Sequence, residues 1–131
     1  MNYLIDTDWV IDHLNQVESV TARLHELAPE GLTLSVVSLG ELYEGVYYSR
    51  DPEASERSLQ RFLNRDLTIL GIDEETCKRF GRERGRLRMI GQRIGDMDLM
   101  IAATALQYDL TLLTNNRRHF ERVEGLRIQS V

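Results

Sequence analysis

The chain has 131 residues, room for one domain with a proper core, and its 42% apolar fraction fits a globular protein rather than a disordered one. No apolar run approaches the roughly 20 residues that cross a bilayer, and an N-terminus without a basic n-region, carrying Asp6, is not read as a signal peptide. The net charge of −5 disfavours a nucleic-acid partner only in sum: residues 1–45 hold eight acids against Arg23 alone, and residues 78–93 hold seven bases against Glu83 alone. Fifteen of the sixteen basic residues are arginine, whose planar fork suits phosphate. Cys77 is the single cysteine, so no internal disulfide is possible. It reads as a small packed hydrophobe, which fits a cytoplasmic protein.

In chain order, Tyr3-Leu4-Ile5 is a short apolar run that predicts a buried strand of a parallel sheet. A first helix extends to about Asn15, and a second over Val20–Leu27 stops before Pro29 and Gly31. The β-branched run Leu32–Val37 predicts the second strand. Ser38 then reads as an N-cap with Glu41 as its capping-box partner, opening a third helix. Asp51-Pro52 opens a fourth helix, to about Asn64, and Leu67–Ile72 a third strand. Asp73 to Thr76 caps a polar helix over about 74–90, which Gly81 and Gly85 weaken toward a mobile C-terminal part. Asp98 starts an alanine-rich helix; Leu110–Thr114 is the fourth strand; Arg117–Arg122 is a short helix and Leu126–Ile128 an edge strand. This order predicts one domain over 1–131, an α/β sandwich on a mostly parallel sheet of four to five strands.

Four polar residues lie just past a strand or in a helix's first turn: Asp6, Glu41, Asp98 and Asn116, with Asp96 close by. In an open α/β sheet that is where ligands bind. If they converge, three carboxylates crowd one crevice, and a divalent cation relieves their repulsion. An all-oxygen donor set selects Mg²⁺ or Mn²⁺ over zinc, and two such ions about 3.5–4 Å apart suit phosphoryl chemistry. Each residue also has a structural reading: Asp6 or Asp98 as a helix cap, Glu41 as a capping-box member, Asn116 as a turn residue. Asp8 and Asp12 read as a first-turn dipole partner and a solvated helix residue, and His13, His25 and His119 as surface or core histidines.

Tyr3-Leu4-Ile5-Asp6-Thr7, Ser38-Leu39-Gly40-Glu41-Leu42, Asp98 to Leu106, Leu112-Leu113-Thr114-Asn115-Asn116 with His119-Phe120, and Gly125-Leu126 together resemble the PIN-domain ribonucleases. The resemblance is strongest to the VapC-like toxins of bacterial type II toxin–antitoxin modules and covers essentially the whole chain. It implies a PIN-like three-layer α/β/α sandwich. It also implies a Mg²⁺-dependent endoribonuclease, Mn²⁺ substituting, that hydrolyses RNA phosphodiesters with metal-activated water. Asp6 and Asp98 would be the principal metal ligands, Glu41 the third acid and Asp96 a supplementary one. Asn116 would act at the fourth site, through water or on substrate. Thr7 and Thr114 would hold the scissile phosphate or order the carboxylates. The resemblance further implies RNA as substrate, a cognate antitoxin and a homodimer. The arginines from 79 to 93, Arg86 and Arg93 among them, with Arg117 and Arg118, are the candidates to grip the RNA backbone.

The rival is a haloacid-dehalogenase-type phosphatase, since Asp6-Thr7-Asp8-Trp9-Val10 resembles its nucleophile motif and Gly95-Asp96-Met97-Asp98 its metal motif. It needs a lysine between the motifs, where Lys78 is the only one, and a strand before the second. A silent binding module with the same fold is the non-enzymatic alternative. The lone lysine also disfavours a P-loop nucleotide binder, which needs a glycine-rich loop ending in Lys-Ser or Lys-Thr.

Overall fold

A computed structural model describes all of Met1–Val131. Five strands, β1 (Tyr3–Ile5), β2 (Leu32–Ser35), β3 (Leu67–Leu70), β4 (Thr111–Leu113) and β5 (Ile128–Gln129), form one sheet in the order β3-β2-β1-β4-β5. Every neighbouring pair is parallel, the final edge strand included, so the sheet is wholly rather than mostly parallel. Alternation along the strands sends Tyr3, Ile5, Leu34 and Leu113 to one face and Leu4, Leu70 and Leu112 to the other. On the first face pack α1 (Thr7–Leu14), α2 (Glu18–Leu27), α3 (Val36–Tyr47) and α4 (Pro52–Leu63), centred on the fully buried Trp9. On the second pack α5 (Glu74–Met89), α6 (Asp96–Gln107) and α7 (Arg117–Phe120), around Leu87, Ile101, Ala102 and Phe120. Two apolar faces are why the strands read as continuous hydrophobic runs. The result is the three-layer α/β/α sandwich.

Several boundaries differ from the sequence reading. Helix α3 begins at Val36, because the Ser35 hydroxyl accepts from the Val37 N–H at 3.0 Å and stops the strand there. Ser38 is therefore inside the helix and makes no capping box with Glu41. Helix α6 begins at Asp96, after Gly95, so Asp98 sits at its third position rather than at the cap. Helix α5 runs unbroken through Gly81 and Gly85 to Met89: its buried Thr76 and Leu87 pack it along α6, and tertiary contact outweighs the roughly 1 kcal/mol intrinsic cost of each glycine. The last strand falls at Ile128–Gln129, two residues later than expected.

Gly31 is needed where the chain returns from α2 to the sheet at β2. Its φ is 95°, and a Cβ there would lie 2.8 Å from the Met1 nitrogen. Its carbonyl accepts from the Asn2 and Tyr3 amides, which sets the edge of β1 against β2.

Candidate active site

From β1 the chain goes to β2 and β3 on one side, then to β4 and β5 on the other. The strand order reverses between β1 and β4, so a crevice opens at their carboxyl ends. Asp6 stands at that point, 5% exposed, its amide bonded to the Leu113 carbonyl at 2.9 Å. It is also the N-cap of α1, so the capping and functional readings are one geometry. Its Oδ1 accepts from the Thr7 N–H at 2.8 Å and its Oδ2 from the Thr114 hydroxyl at 2.7 Å. The Thr7 hydroxyl donates to Glu41 Oε1 at 2.7 Å, joining α3 to the same crevice. Both threonines thus order carboxylates.

Asp8 stands in the first turn of α1, as its dipole reading expects, and it faces the site as well. Its carboxylate lies against Asp6 and close enough to Asp98 to raise it. The Asn115 N–H reaches Asp8 Oδ2 at 3.3 Å, while Oδ1 is buried without a hydrogen-bond partner. Burial first, and then the Asp8 charge, push the Asp6 carboxyl up to about 7. Burial raises Asp8 as well. Asp98 is also raised by burial; His119 opposes this and the Asp8 charge adds to it. The structure therefore brings Asp6, Asp8 and Asp98 together, with Glu41 tied in through Thr7.

His119, read as a scattered histidine, stands at the edge of the site. Its Nδ1 lies 3.9 Å from Asp98 Oδ2 and 3.2 Å from Asn116 Nδ2. Asn116 gives no side-chain cap to α7; its amide donates to the Thr114 hydroxyl at 3.0 Å. Asp96 pairs with Arg84 at 2.9 Å and lines one cavity with Glu41. Arg86, expected on substrate, is committed within the chain. It bonds both Glu83 carboxylate oxygens at 2.9 Å and the Arg122 carbonyl at 2.7 Å, fastening α5 to the turn after α7. Arg117 pairs with Glu121 and Ser130. Lys78, Arg82, Arg88, Arg93 and Arg118 are exposed and make no ion pair.

The donor set fits a hard divalent cation: carboxylates only, an orphaned buried oxygen on Asp8, and an Asp6 carboxyl raised by burial and by the neighbouring Asp8 charge. As the side chains lie, no three His, Cys, Asp or Glu residues are arranged to hold a metal ion, so the ligand cage is not preformed. The phosphatase rival fails on topology. Helix α5, not a strand, precedes the Gly95–Asp98 segment, which opens α6. No helix is long and apolar enough to cross a membrane.

Carboxylates gathered at the switch point of an all-parallel α/β sheet suit metal-assisted hydrolysis. A family model described as the PIN domain matches residues 3–126, and the chain belongs to that family. It is similar to the "Ribonuclease VapC" of Haemophilus influenzae, 34% identical over 99% of this chain and 98% of the relative. It is similar as well to the "tRNA(fMet)-specific endonuclease VapC" of Shigella flexneri, 33% identical over 98% and 97% of the two chains. Among solved structures it superposes on the DNA-bound VapBC of Salmonella typhimurium with a TM-score of 0.92 at 29% identity, covering 99% and 98% of the two chains.

Proposed function

We propose that this chain is an endoribonuclease that requires a divalent cation, Mg²⁺ with Mn²⁺ able to substitute, and that acts as the toxin of a toxin–antitoxin pair. It would work in the cytoplasm as a single-domain homodimer held in check by a cognate antitoxin. The names of its relatives support the class of reaction and of partner. The observation that carries the chemistry is the meeting of the buried Asp6 with the half-buried Asp8 and Asp98 at the ends of β1 and α6, where burial and the Asp8 charge raise the Asp6 carboxyl to about 7. Asp6, Asp8 and Asp98 would hold the cation, with Glu41 as the further acid. What a bound cation supplies there is a lowered pKa for water and neutralisation of charge on a phosphodiester.

The chain's own residues do the rest. Thr7 and Thr114 fix both oxygens of Asp6, so the carboxylate enters the reaction already oriented. The Thr7 hydroxyl aims Glu41 into the crevice, where it can take a proton from attacking water. Arg82, Arg88, Arg93 and Arg118, free of internal ion pairs, meet RNA phosphates and position the strand without selecting sequence. Arg86, its fork taken by Glu83 and the Arg122 carbonyl, is assigned to the fold, whereas Arg117, whose pair with Glu121 is exposed and whose Nη2 is unbonded, stays a candidate for the grip.

The test is an RNA-cleavage assay with and without EDTA on wild type, Asp6→Asn and Asp98→Asn. Cleavage lost to EDTA and to either substitution, and restored by Mg²⁺ in wild type alone, is the expected result. Cleavage that survives both substitutions sinks the mechanism.

A further inference from the structure

Asn115 looks like a turn residue between β4 and α7, yet it is the meeting point of three segments. Its Oδ1 accepts from the Trp9 indole N–H at 3.1 Å and from the Val131 amide at 3.0 Å. Its own amide reaches across the crevice to Asp8 Oδ2 at 3.3 Å. Trp9 is fully buried in the first core, a fixed point to which the side-chain amide is tied. Val131 is placed by its neighbours: the Thr114 amide donates to the Gln129 carbonyl, and the Ser130 hydroxyl donates to the Thr114 carbonyl at 2.6 Å. The loop is therefore pinned from the core on one side and from the last strand on the other.

We propose that Asn115 is a positioning residue of the site, whose side-chain amide locks the β4–α7 loop to Trp9 so that its backbone N–H holds the Asp8 carboxylate in the acid cluster. The inference rests on the function proposed above, and adds to it a residue that touches neither cation nor RNA. A carboxylate held in one orientation loses little freedom when it binds an ion, whereas a swinging one must be ordered first. Partners that orient a ligand are worth about 10- to 100-fold in metal affinity. The backbone donor survives any substitution at position 115; what Asn115→Ala removes is the acceptor that fixes where that donor points.

The experiment titrates wild type, Asn115→Ala, Asn115→Asp, Trp9→Phe and the Asn115→Ala/Trp9→Phe double variant with Mg²⁺ alone by calorimetry, then measures kcat and KM on RNA. Asn115→Ala should bind Mg²⁺ at least about tenfold more weakly, with the loss in kcat and KM for RNA unchanged. Asn115→Asp, which keeps an acceptor at the same reach, should restore most of the affinity. Trp9→Phe keeps the ring but not the N–H and should shift affinity in the same direction. The double variant should be no worse than Asn115→Ala, because both break one tie. Wild-type affinity in Asn115→Ala, or Asn115→Asp as weak as Asn115→Ala, overturns the proposal. Should Asn115→Ala fail to fold, wild-type Mg²⁺ affinity in Trp9→Phe overturns it instead. A wild type that neither binds Mg²⁺ nor cuts RNA refutes the proposed function itself, whereas a responsive wild type with an unmoved Asn115→Ala refutes only the clamp.

Discussion

The Thr114 hydroxyl donates to Asp6 Oδ2 at 2.7 Å, so one hydrogen bond spans the seam between β1 and β4 at the point where the strand order reverses. The same hydroxyl accepts from the Asn116 amide at 3.0 Å, which makes Thr114 the joint between the principal acid and the loop bearing Asn115 and Asn116. Thr114→Val keeps the shape and removes both bonds. With Thr114 fully buried, the loss is expected to cost about 1–3 kcal/mol of stability. Cleavage should fall further than stability explains, because Asp6 is then held by Thr7 alone. Thermal unfolding and single-turnover cleavage on the same preparation separate the two effects, and equal cleavage rates would remove Thr114 from the site.

Stability should depend on pH through Asp6. Its folded carboxyl keeps a proton to about 7 against 3.8 for the ordinary group, so the folded chain binds more protons than the unfolded one between those values. The contribution is complete below the unfolded value and is lost as pH rises through about 7. Burial shifts Asp8 and Asp98 in the same direction; His13, lowered by burial, acts oppositely and loses stability as pH falls below its ordinary 6.5. Cation-free protein is thus expected to melt several degrees higher at pH 6 than at pH 8. Asp6→Asn should flatten that slope and raise the melting temperature at pH 8 while abolishing cleavage. A wild-type melting temperature that rises steadily from pH 6 to 8 contradicts the buried-acid account.

Asp8→Asn tests the acid that the linear pattern hid. The substitution removes a charge that opposes ionisation of both Asp6 and Asp98 and preserves an acceptor for the Asn115 amide. Without cation, the protein should become more stable at pH 8. Mg²⁺ affinity should fall by about tenfold, the scale of a lost ligand or orienting partner. Calorimetric titration beside thermal unfolding reads both, and unchanged affinity would leave Asp8 as a bystander.

How much of this was legible depends on range along the chain. The strand ends were readable because apolar runs stop abruptly at Asp6 and at Thr114-Asn115-Asn116. Position past a strand or in a helix's first turn picked out Asp98 and Glu41, and the resemblance gave them roles; the fold brings both to the same crevice. Asp8 does sit in the first turn of α1, but its place beside Asp6 was hidden, because a second acid there has a sufficient local explanation in the helix dipole. Only the burial of α1 against β4 shows that it faces inward. The starts of α3 and α6 slipped because Val36 and Val37 look like strand and Asp98 looks like a cap, while the hydrogen bond from Val37 to Ser35 is invisible until folded. Arg86 was assigned to RNA because its fork's second partner, the Arg122 carbonyl, lies 36 residues away.

The arginines separate into two groups with opposite expected behaviour. Arg86→Ala removes the bidentate partner of Glu83, which is 12% exposed at its side chain, and leaves the Arg122 carbonyl unbonded. It should cost about 1–3 kcal/mol of stability and leave RNA affinity of the folded protein nearly unchanged. Arg82→Ala and Arg88→Ala, on the exposed face of α5, should do the reverse: melting temperatures stay near wild type and RNA binding weakens at low salt. Each phosphate contact contributes about −0.7 to the slope of log affinity against log salt for a single strand. The double variant should therefore flatten that slope by about 1 to 1.5, measured with catalysis blocked by EDTA. A slope unchanged in Arg82→Ala/Arg88→Ala but reduced in Arg86→Ala would place the RNA on the opposite edge of the helix.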